Sequence, residues 1–410
     1  ASRRLSARET IERIPAIQQR GLRGGVLYYD AQFDDARLLV NMAQTACEQG
    51  AAVVNYARVI ALAKNAGGRV CGLTFRDEET GDEHPVAARV VINATGPFAD
   101  GLRRMDDPAA STLIAPSQGV HLVLDRRFLG GQTALIVPKT RDGRLLFAIG
   151  WHNAVLAGTT DTPIDAASLE PQALDEEVDF VLATLADYLG DAPGRSDVKS
   201  VFAGVRPLAR RGGAKNTAAL SRDHTIEVSN SNLVTIAGGK WTTYRRMAED
   251  CVNRAAEVAG LEARPCRTVD LPIHGACDDA DAYGDRWIYG SDAPLVERLA
   301  GAQRATAFDP RLTLDEADVV WAVRNEMART VEDVLSRRTR ALLLDAQAAI
   351  DVAPRVAQAM AAELGRDAAW AAAQATEFRA LAARYLPTIS HAHAASLTLG
   401  RESMPPEKPT

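Results

Sequence analysis

The sequence predicts an α/β domain followed by a mostly helical one, and three observations carry that expectation. An apolar, β-branched run over residues 233–237 stops at Gly238-Gly239, and a long amphipathic pattern then runs from Thr242 through Met247, Cys251 and Ala255. That is a strand, a tight turn and a helix in succession. Upstream, short apolar stretches recur between turn residues, as in a strand-rich sheet. After Gly260 the composition changes. Pro265, Pro272 and Gly275 mark an extended linker, and beyond it Ala, Arg and Glu dominate, with helical spacing at Val320, Val323, Met327, Val331, Val334 and Leu335. The implied organisation is an α/β domain over 1–262, a linker over 263–276, a helical domain over 277–400 and a disordered, proline-bearing tail over 401–410.

Taken in order, residues 1–19 read as a polar start leading to a turn at 21–25. Residues 26–29 read as a short strand. Asp34-Asp35 then caps a helix that runs through Leu39, Met42 and Ala46 to Gly50. Val53-Val54 and residues 59–62 read as strand, while 70–75 and 87–92 flank the turn Asp77-Glu-Glu-Thr-Gly81-Asp of a hairpin. Strands are expected around His121 and at 135–138, 145–149 and 155–159, then a helix over 175–189 and strands at 198–202, 225–228 and 233–236.

Bulk properties exclude several classes. The 410 residues suffice for two domains or three, and 47% hydrophobic with 24% charged residues is ordinary for a globular protein. Lys and Arg number 47 against 53 Asp and Glu, a net charge of −6 without a long basic run, which argues against a nucleic-acid ligand. Cys47, Cys71, Cys251, Cys266 and Cys277 are odd in number and never paired as Cys-x-x-Cys, which fits a reducing compartment and offers no zinc site. No apolar run reaches membrane-spanning length and the first residues lack a signal-peptide core, so the expectation is a soluble or surface-bound protein. Neither Gly-x-Gly-x-x-Gly nor a phosphate-binding Gly-x-x-x-x-Gly-Lys-Ser/Thr occurs.

Several segments could carry chemistry, and each also fits a bland reading. Gly238-Gly239-Lys240 before a helix would offer backbone N–H groups and a cation to an anion, or reads simply as a turn capped by Thr242. Asn93-Ala-Thr-Gly96-Pro97 follows a strand, where open α/β sheets admit ligands or simply turn. His121 opens an apolar strand, as a catalyst or as a satisfied core residue. Arg206, in Gly204-Val-Arg-Pro207, suits bidentate anion binding or is a solvated charge. Asp161 of Gly158-Thr-Thr-Asp161 could cap its own turn. The basic loop at 210–215 reads as surface, as do His391 and His393.

The order of these motifs is more specific than any one of them. Gly24-Gly-Val-Leu-Tyr-Tyr-Asp30 with Asp34-Asp-Ala-Arg37 comes first, then Asn93–Pro97, Gln118-Gly-Val-His121, Gly158–Asp161, Gly204-Val-Arg-Pro-Leu208, Ser221-Arg-Asp223 and Gly238-Gly-Lys-Trp-Thr-Thr-Tyr-Arg245. With Glu326-Met-Ala-Arg-Thr-Val-Glu-Asp-Val-Leu-Ser-Arg-Arg-Thr-Arg340, the chain closely resembles the FAD-dependent, respiratory glycerol-3-phosphate dehydrogenases of the D-amino-acid-oxidase-like superfamily. The likeness runs over residues 21–386.

That resemblance implies an FAD-binding α/β domain with an antiparallel substrate-binding sheet and a C-terminal all-α domain. The family's opening Gly-x-Gly-x-x-Gly segment has no counterpart here, so the chain resembles a member without its N-terminal βαβ. The implied reaction oxidises the C2 hydroxyl of sn-glycerol 3-phosphate to dihydroxyacetone phosphate, with FAD as hydride acceptor and a quinone as final acceptor. His121 and Arg206 are then placed at the reacting hydroxyl, with His121 as general base because a guanidinium does not readily lose a proton. Arg206, Arg222 and Lys240 become substrate-binding. Gly238, Gly239, Lys240 and Thr242 fall at the flavin, and Val59, Ala94, Thr95 and Gly96 at the ADP half. A quinone acceptor implies peripheral contact with the inner face of the cytoplasmic membrane, and a homodimer stays open. Alternatives are an oxygen-using glycerol-3-phosphate oxidase, an inactive remnant without flavin, and a helical interaction module fused to a degenerate sheet.

Overall fold

A computed structural model describes residues 2–141, 143–210, 223–300 and 306–388. The chain opens on a small unit absent from the sequence reading, the antiparallel pair β1 (Arg3–Ser6) and β2 (Gly24–Leu27) around α1 (Ala7–Arg13). Its signal was local. Ser6 and Glu9 form a reciprocal capping box in which each side chain accepts the other residue's backbone N–H. Asp34 caps α2 (Asp35–Glu48) by accepting the Arg37 N–H at 2.9 Å.

Strands β3 (Ala57–Lys64), β4 (Val70–Asp77) and β5 (Glu83–Ala87) form an antiparallel meander. Two expectations change here. Val53-Val54 is not a strand, since it meets no partner and Val54 stays 65% exposed. The stretch 87–92 divides: Ala88 makes a last bond to Cys71 O at 2.8 Å, and the chain leaves to form β6 (Val91–Asn93) in another sheet. There β6 runs parallel to β14 (Leu233–Gly238), whose other edge takes β13 (His224–Val228). Asn93 fixes this junction, donating to Ala99 O of α3 (Ala99–Asp106) at 2.9 Å and to Thr235 Oγ1 at 3.3 Å.

The largest sheet is antiparallel, with β7 (Ile114–Asp125) at its centre. On one side lie β10 (Ala154–Gly158), β9 (Leu146–Trp151) and β8 (Leu135–Val137), with the short β11 (Thr162–Pro163) at the start of β7. On the other lies β12 (Val198–Ala209), far longer than the expected 198–202. It persists through Gly204 and Pro207 because its register sets Pro207 against Pro116, so neither proline removes a donor from an otherwise paired residue. One face of β7, with Val120, Leu122 and Leu124, packs on Val178, Val181 and Leu185 of α4 (Asp175–Tyr188).

After α5 (Tyr244–Val258), residues 261–279 form neither helix nor strand. The helical part contains α6 (Ala293–Ala300), α7 (Glu316–Asn325), α8 (Ala341–Leu344), α9 (Ala346–Leu364) and α10 (Ala368–Ala382). The periodicity from Val320 to Leu335 is not one helix. Met327 is left-handed at φ 57°, and Ala328 N–H closes back on Ala322 O at 3.0 Å, which ends α7. A separate turn then forms over Asp333–Arg338.

The two parts are joined by side chains of motifs far apart in sequence. Arg37 meets Glu326, Arg340 meets both Asp34 and Asp35, and Asp333 accepts from Tyr56 Oη at 2.7 Å. His274 of the linker is held by Glu48 and Asp292, each at 2.6 Å. Burial alone would lower its pKa, but the two carboxylate hydrogen bonds outweigh it and raise the value. A raised folded pKa contributes stability that is fully present below the unfolded value near 6.5 and lost as pH rises through the folded one. The difference in urea-unfolding free energy between wild type and His274→Gln is therefore expected to shrink as pH is raised from about 6 to about 9.

Candidate active site

The face of β7 and β12 opposite α4 carries a chemically distinct row. The register sets His121 opposite Phe202, Gly119 opposite Gly204 and Ser117 opposite Arg206. Alternate residues share a face, so His121 and Arg206 stand at opposite ends of a trough floored by two glycines. A Cβ at Gly204 would meet nothing within 4 Å, so space is open above it. A Cβ at Gly119 would lie 2.4 Å from Arg206 Nη2 and 2.6 Å from Thr159 Oγ1. A Cβ at Gly158, which pairs with His121, would lie 2.5 Å from the imidazole Cδ2. At Gly158 the Cβ would also lie 2.7 Å from the Val120 carbonyl oxygen, so the backbone leaves no room for it, whereas at Gly119 a Cβ would displace the Arg206 guanidinium.

The Arg206 guanidinium donates to Thr159 Oγ1 at 3.1 Å, to the Gln118 carbonyl at 3.3 Å and to Asp161 Oδ1 at 3.5 Å. Ser117 Oγ also donates to Asp161. His121 stacks on Phe202, with ring centroids 5.4 Å apart. Burial first, and then the nearby Arg206 charge, push its pKa down to about 4. At neutral pH the imidazole is uncharged and able to accept a proton.

A second concavity, of about 460 Å³, opens beside the β6/β14 pair and is lined mostly by apolar groups, including Ile92, Ile236, Met247 and Val252. Ala94, Gly238, Gly239 and Lys240 meet there, joined by Trp241 and Tyr244. Gly238 and Gly239 both have left-handed φ, 75° and 78°, and a Cβ at Gly239 would lie 2.5 Å from Met247 Sδ. The Trp241 indole N–H is buried without a hydrogen-bond partner among the described residues.

Thr242 does not cap the following helix. A short 3₁₀ turn, Trp241–Thr243, precedes α5, and Thr243 is the residue before it; its hydroxyl donates to Lys240 O at 3.0 Å and so is not turned to the helix N–H groups. Thr242 and Lys240 are exposed. Gly238, on the wall of the second concavity, packs against the end of β12, where its Cβ position would lie 3.2 Å from Ala209 Cβ.

Among the residues singled out from sequence, His121 and Arg206 come together on the large sheet. Ala94, Gly238, Gly239 and Lys240 come together at the second concavity, with Thr95 and Gly96 directly after Ala94. Val59 is half-buried on β3, opposite Phe75, and does not line that cavity. Arg222, the loop at 211–215, His391, His393 and the tail lie outside the described residues. Sequence reasoning did not identify the Arg206 supports Thr159 and Gln118, nor the unpartnered Trp241 N–H. Their signal was present only as membership of the motifs Gly158–Asp161, Gln118–His121 and Gly238–Arg245.

The sequence is 39% identical over 397 residues to the probable mitochondrial glycerol-3-phosphate dehydrogenase of Caenorhabditis elegans, covering 90% of this chain and 55% of that protein. It is 38% identical over 392 residues to human mitochondrial glycerol-3-phosphate dehydrogenase, covering 88% and 54%. The chain therefore spans about half the length of the curated relatives it matches. In structure it resembles the glycerol-3-phosphate dehydrogenase of Bacillus halodurans solved with FAD, with a TM-score of 0.81 at 27% identity over 94% of this chain and 80% of that one. Its fold is accordingly the FAD-binding type with antiparallel sheets and a C-terminal helical domain. The profile of the C-terminal domain of alpha-glycerophosphate oxidase matches residues 234–371. The profile described as FAD dependent oxidoreductase matches residues 1–245, more than half of the sequence, and the chain belongs to that family.

Proposed function

We propose that this chain carries the substrate site, and part of the flavin site, of an FAD-dependent glycerol-3-phosphate dehydrogenase. One observation carries the reading: a glycine-floored trough with a neutral imidazole at one end and a braced guanidinium at the other. Oxidation of a secondary alcohol needs a proton acceptor beside the hydroxyl and a cation for the oxygen as charge develops. His121 supplies the first and Arg206 the second. Lys240 and Arg222 are assigned to the substrate phosphate.

The second concavity fits a flavin. Its lining is mostly apolar, its glycine pair permits close backbone approach, and the buried Trp241 N–H has no acceptor among the described residues. Gly238, Gly239, Lys240 and Thr242 would hold the ring system, Ala94, Thr95 and Gly96 the adenosine side, and Val59, outside this concavity, would meet the ADP half beyond it. When bound, FAD supplies the hydride acceptor. Electrons are assigned onward to a quinone, with contact at a membrane surface. No helix among the described residues is long and apolar enough to cross a membrane.

The test is anaerobic addition of glycerol 3-phosphate to the purified full-length protein loaded with FAD. Loss of the oxidised-flavin absorbance, followed by its return on adding a quinone analogue without peroxide, is the expected result. A flavin that stays oxidised would overturn the reaction, and rapid peroxide formation would replace quinone by oxygen.

A further inference from the structure

Thr159, Asp161 and Gln118, which hold the Arg206 guanidinium in the trough, all lie beside or on residues bonded to one buried carboxylate. Glu177, in the first turn of α4, is only 4% exposed. Its Oε1 accepts from Thr160 Oγ1 at 2.8 Å and from Thr162 Oγ1 at 2.5 Å. Its Oε2 accepts from Gln118 Nε2 at 2.8 Å and from the Leu174 N–H at 3.1 Å.

In an extended segment successive side chains point to opposite sides. Thr159 and Asp161 reach toward Arg206, while Thr160 and Thr162 reach back to Glu177. The third Arg206 partner, the Gln118 carbonyl, belongs to the residue whose own amide is held by Oε2. Thr160 Oγ1 also accepts the Val120 N–H at 3.0 Å, tying the segment to β7. Capping α4 would need only the bond from the Leu174 N–H, so the Oε1 pair of hydroxyls is in excess of a helix-terminus role.

Resting on the reaction proposed above, we propose that Glu177 is a positioning residue that acts through Arg206. It holds the 159–162 segment and Gln118 so that the guanidinium lies over Gly119 and faces the open space above Gly204. A carboxylate is the right group, because it accepts from four donors at once. An amide would present its own N–H to one pair of them.

The measurement is a double-mutant cycle in the FAD-loaded full-length protein. Glu177→Gln is expected to lower kcat/KM for glycerol 3-phosphate by about 10- to 100-fold, the scale of a displaced reacting group. In an Arg206→Ala background the same change should cost almost nothing, since the residue it positions is gone. Equal fold losses in both backgrounds, or no loss in either, would overturn the proposal. Thr160→Val with Thr162→Val removes the Oε1 donors and leaves the Leu174 bond, so it should reproduce the loss even if Glu177→Gln folds poorly. A readout independent of turnover is the rate at which phenylglyoxal modifies Arg206, followed by peptide mass spectrometry. It should rise several-fold in the threonine double variant, and an unchanged rate counts against Glu177. If wild type fails to reduce its flavin with glycerol 3-phosphate, the reaction falls, and this labelling still decides the role of Glu177.

Discussion

Arg206→Ala is expected to lower kcat/KM for glycerol 3-phosphate by about 10²- to 10³-fold, the range seen when one preorganised charge-stabilising donor is removed. Folding and flavin content should change little. The Arg206 side chain is 35% exposed, and its ion pair with Asp161, at 3.5 Å, is not buried. The informative companion is Gly119→Ala. It leaves every charge in place but puts a methyl group where Arg206 Nη2 lies, 2.4 Å from the Cβ position. If the guanidinium must occupy that spot, Gly119→Ala should reproduce most of the Arg206→Ala loss. A Gly119→Ala enzyme with wild-type kcat/KM would show that the guanidinium position observed is not the working one. Stopped-flow reduction of the flavin separates the effect on the chemical step from that on binding.

Arg37→Ala is expected to destabilise the protein by about 3–5 kcal/mol, because it strands a buried charge. Arg37 and Glu326 form an ion pair with side chains 9% and 1% exposed. Arg37 also donates to Arg338 O at 2.9 Å, and Glu326 accepts from the Trp321 indole at 2.9 Å. Removing the guanidinium leaves the Glu326 carboxylate with the indole and without its ion-pair partner. The pair is imperfectly satisfied even in wild type, since Arg37 Nε and Glu326 Oε2 lack hydrogen-bond partners among the described residues. Replacing both partners with apolar residues, Arg37→Met with Glu326→Leu, should therefore recover much of the loss. Urea unfolding of the three proteins checks both statements; a double variant no more stable than Arg37→Ala would contradict the second.

These two sites differ in how far they could be read in advance. The Gly238-Gly239 turn was legible because its requirement is local: two consecutive left-handed residues after an apolar strand leave little choice but glycine. The α2 cap at Asp34 and the α4 span were legible for the same reason, as side-chain-to-backbone bonds within four residues. The α1 capping box was equally local and was passed over in favour of a polar start. Local pattern failed where pairing decides the outcome. The residues 87–92 divide between two sheets, and β12 continues through Gly204 and Pro207, because their partners lie elsewhere in the chain.

By itself, the sequence determined the family, the order of strand-rich and helical parts, and the residue types available for chemistry. Each of these is written in short-range periodicity, caps, turns and motif order. Only the tertiary structure decided that Gly119 faces Gly204, that His121 and Arg206 bound the same trough, and that Glu177 stands behind it. It alone joined Arg37 to Glu326 across 289 positions. The physical reason is common to all of them: strand register and the burial of paired charges are set by contacts between distant segments, and no local window contains both partners.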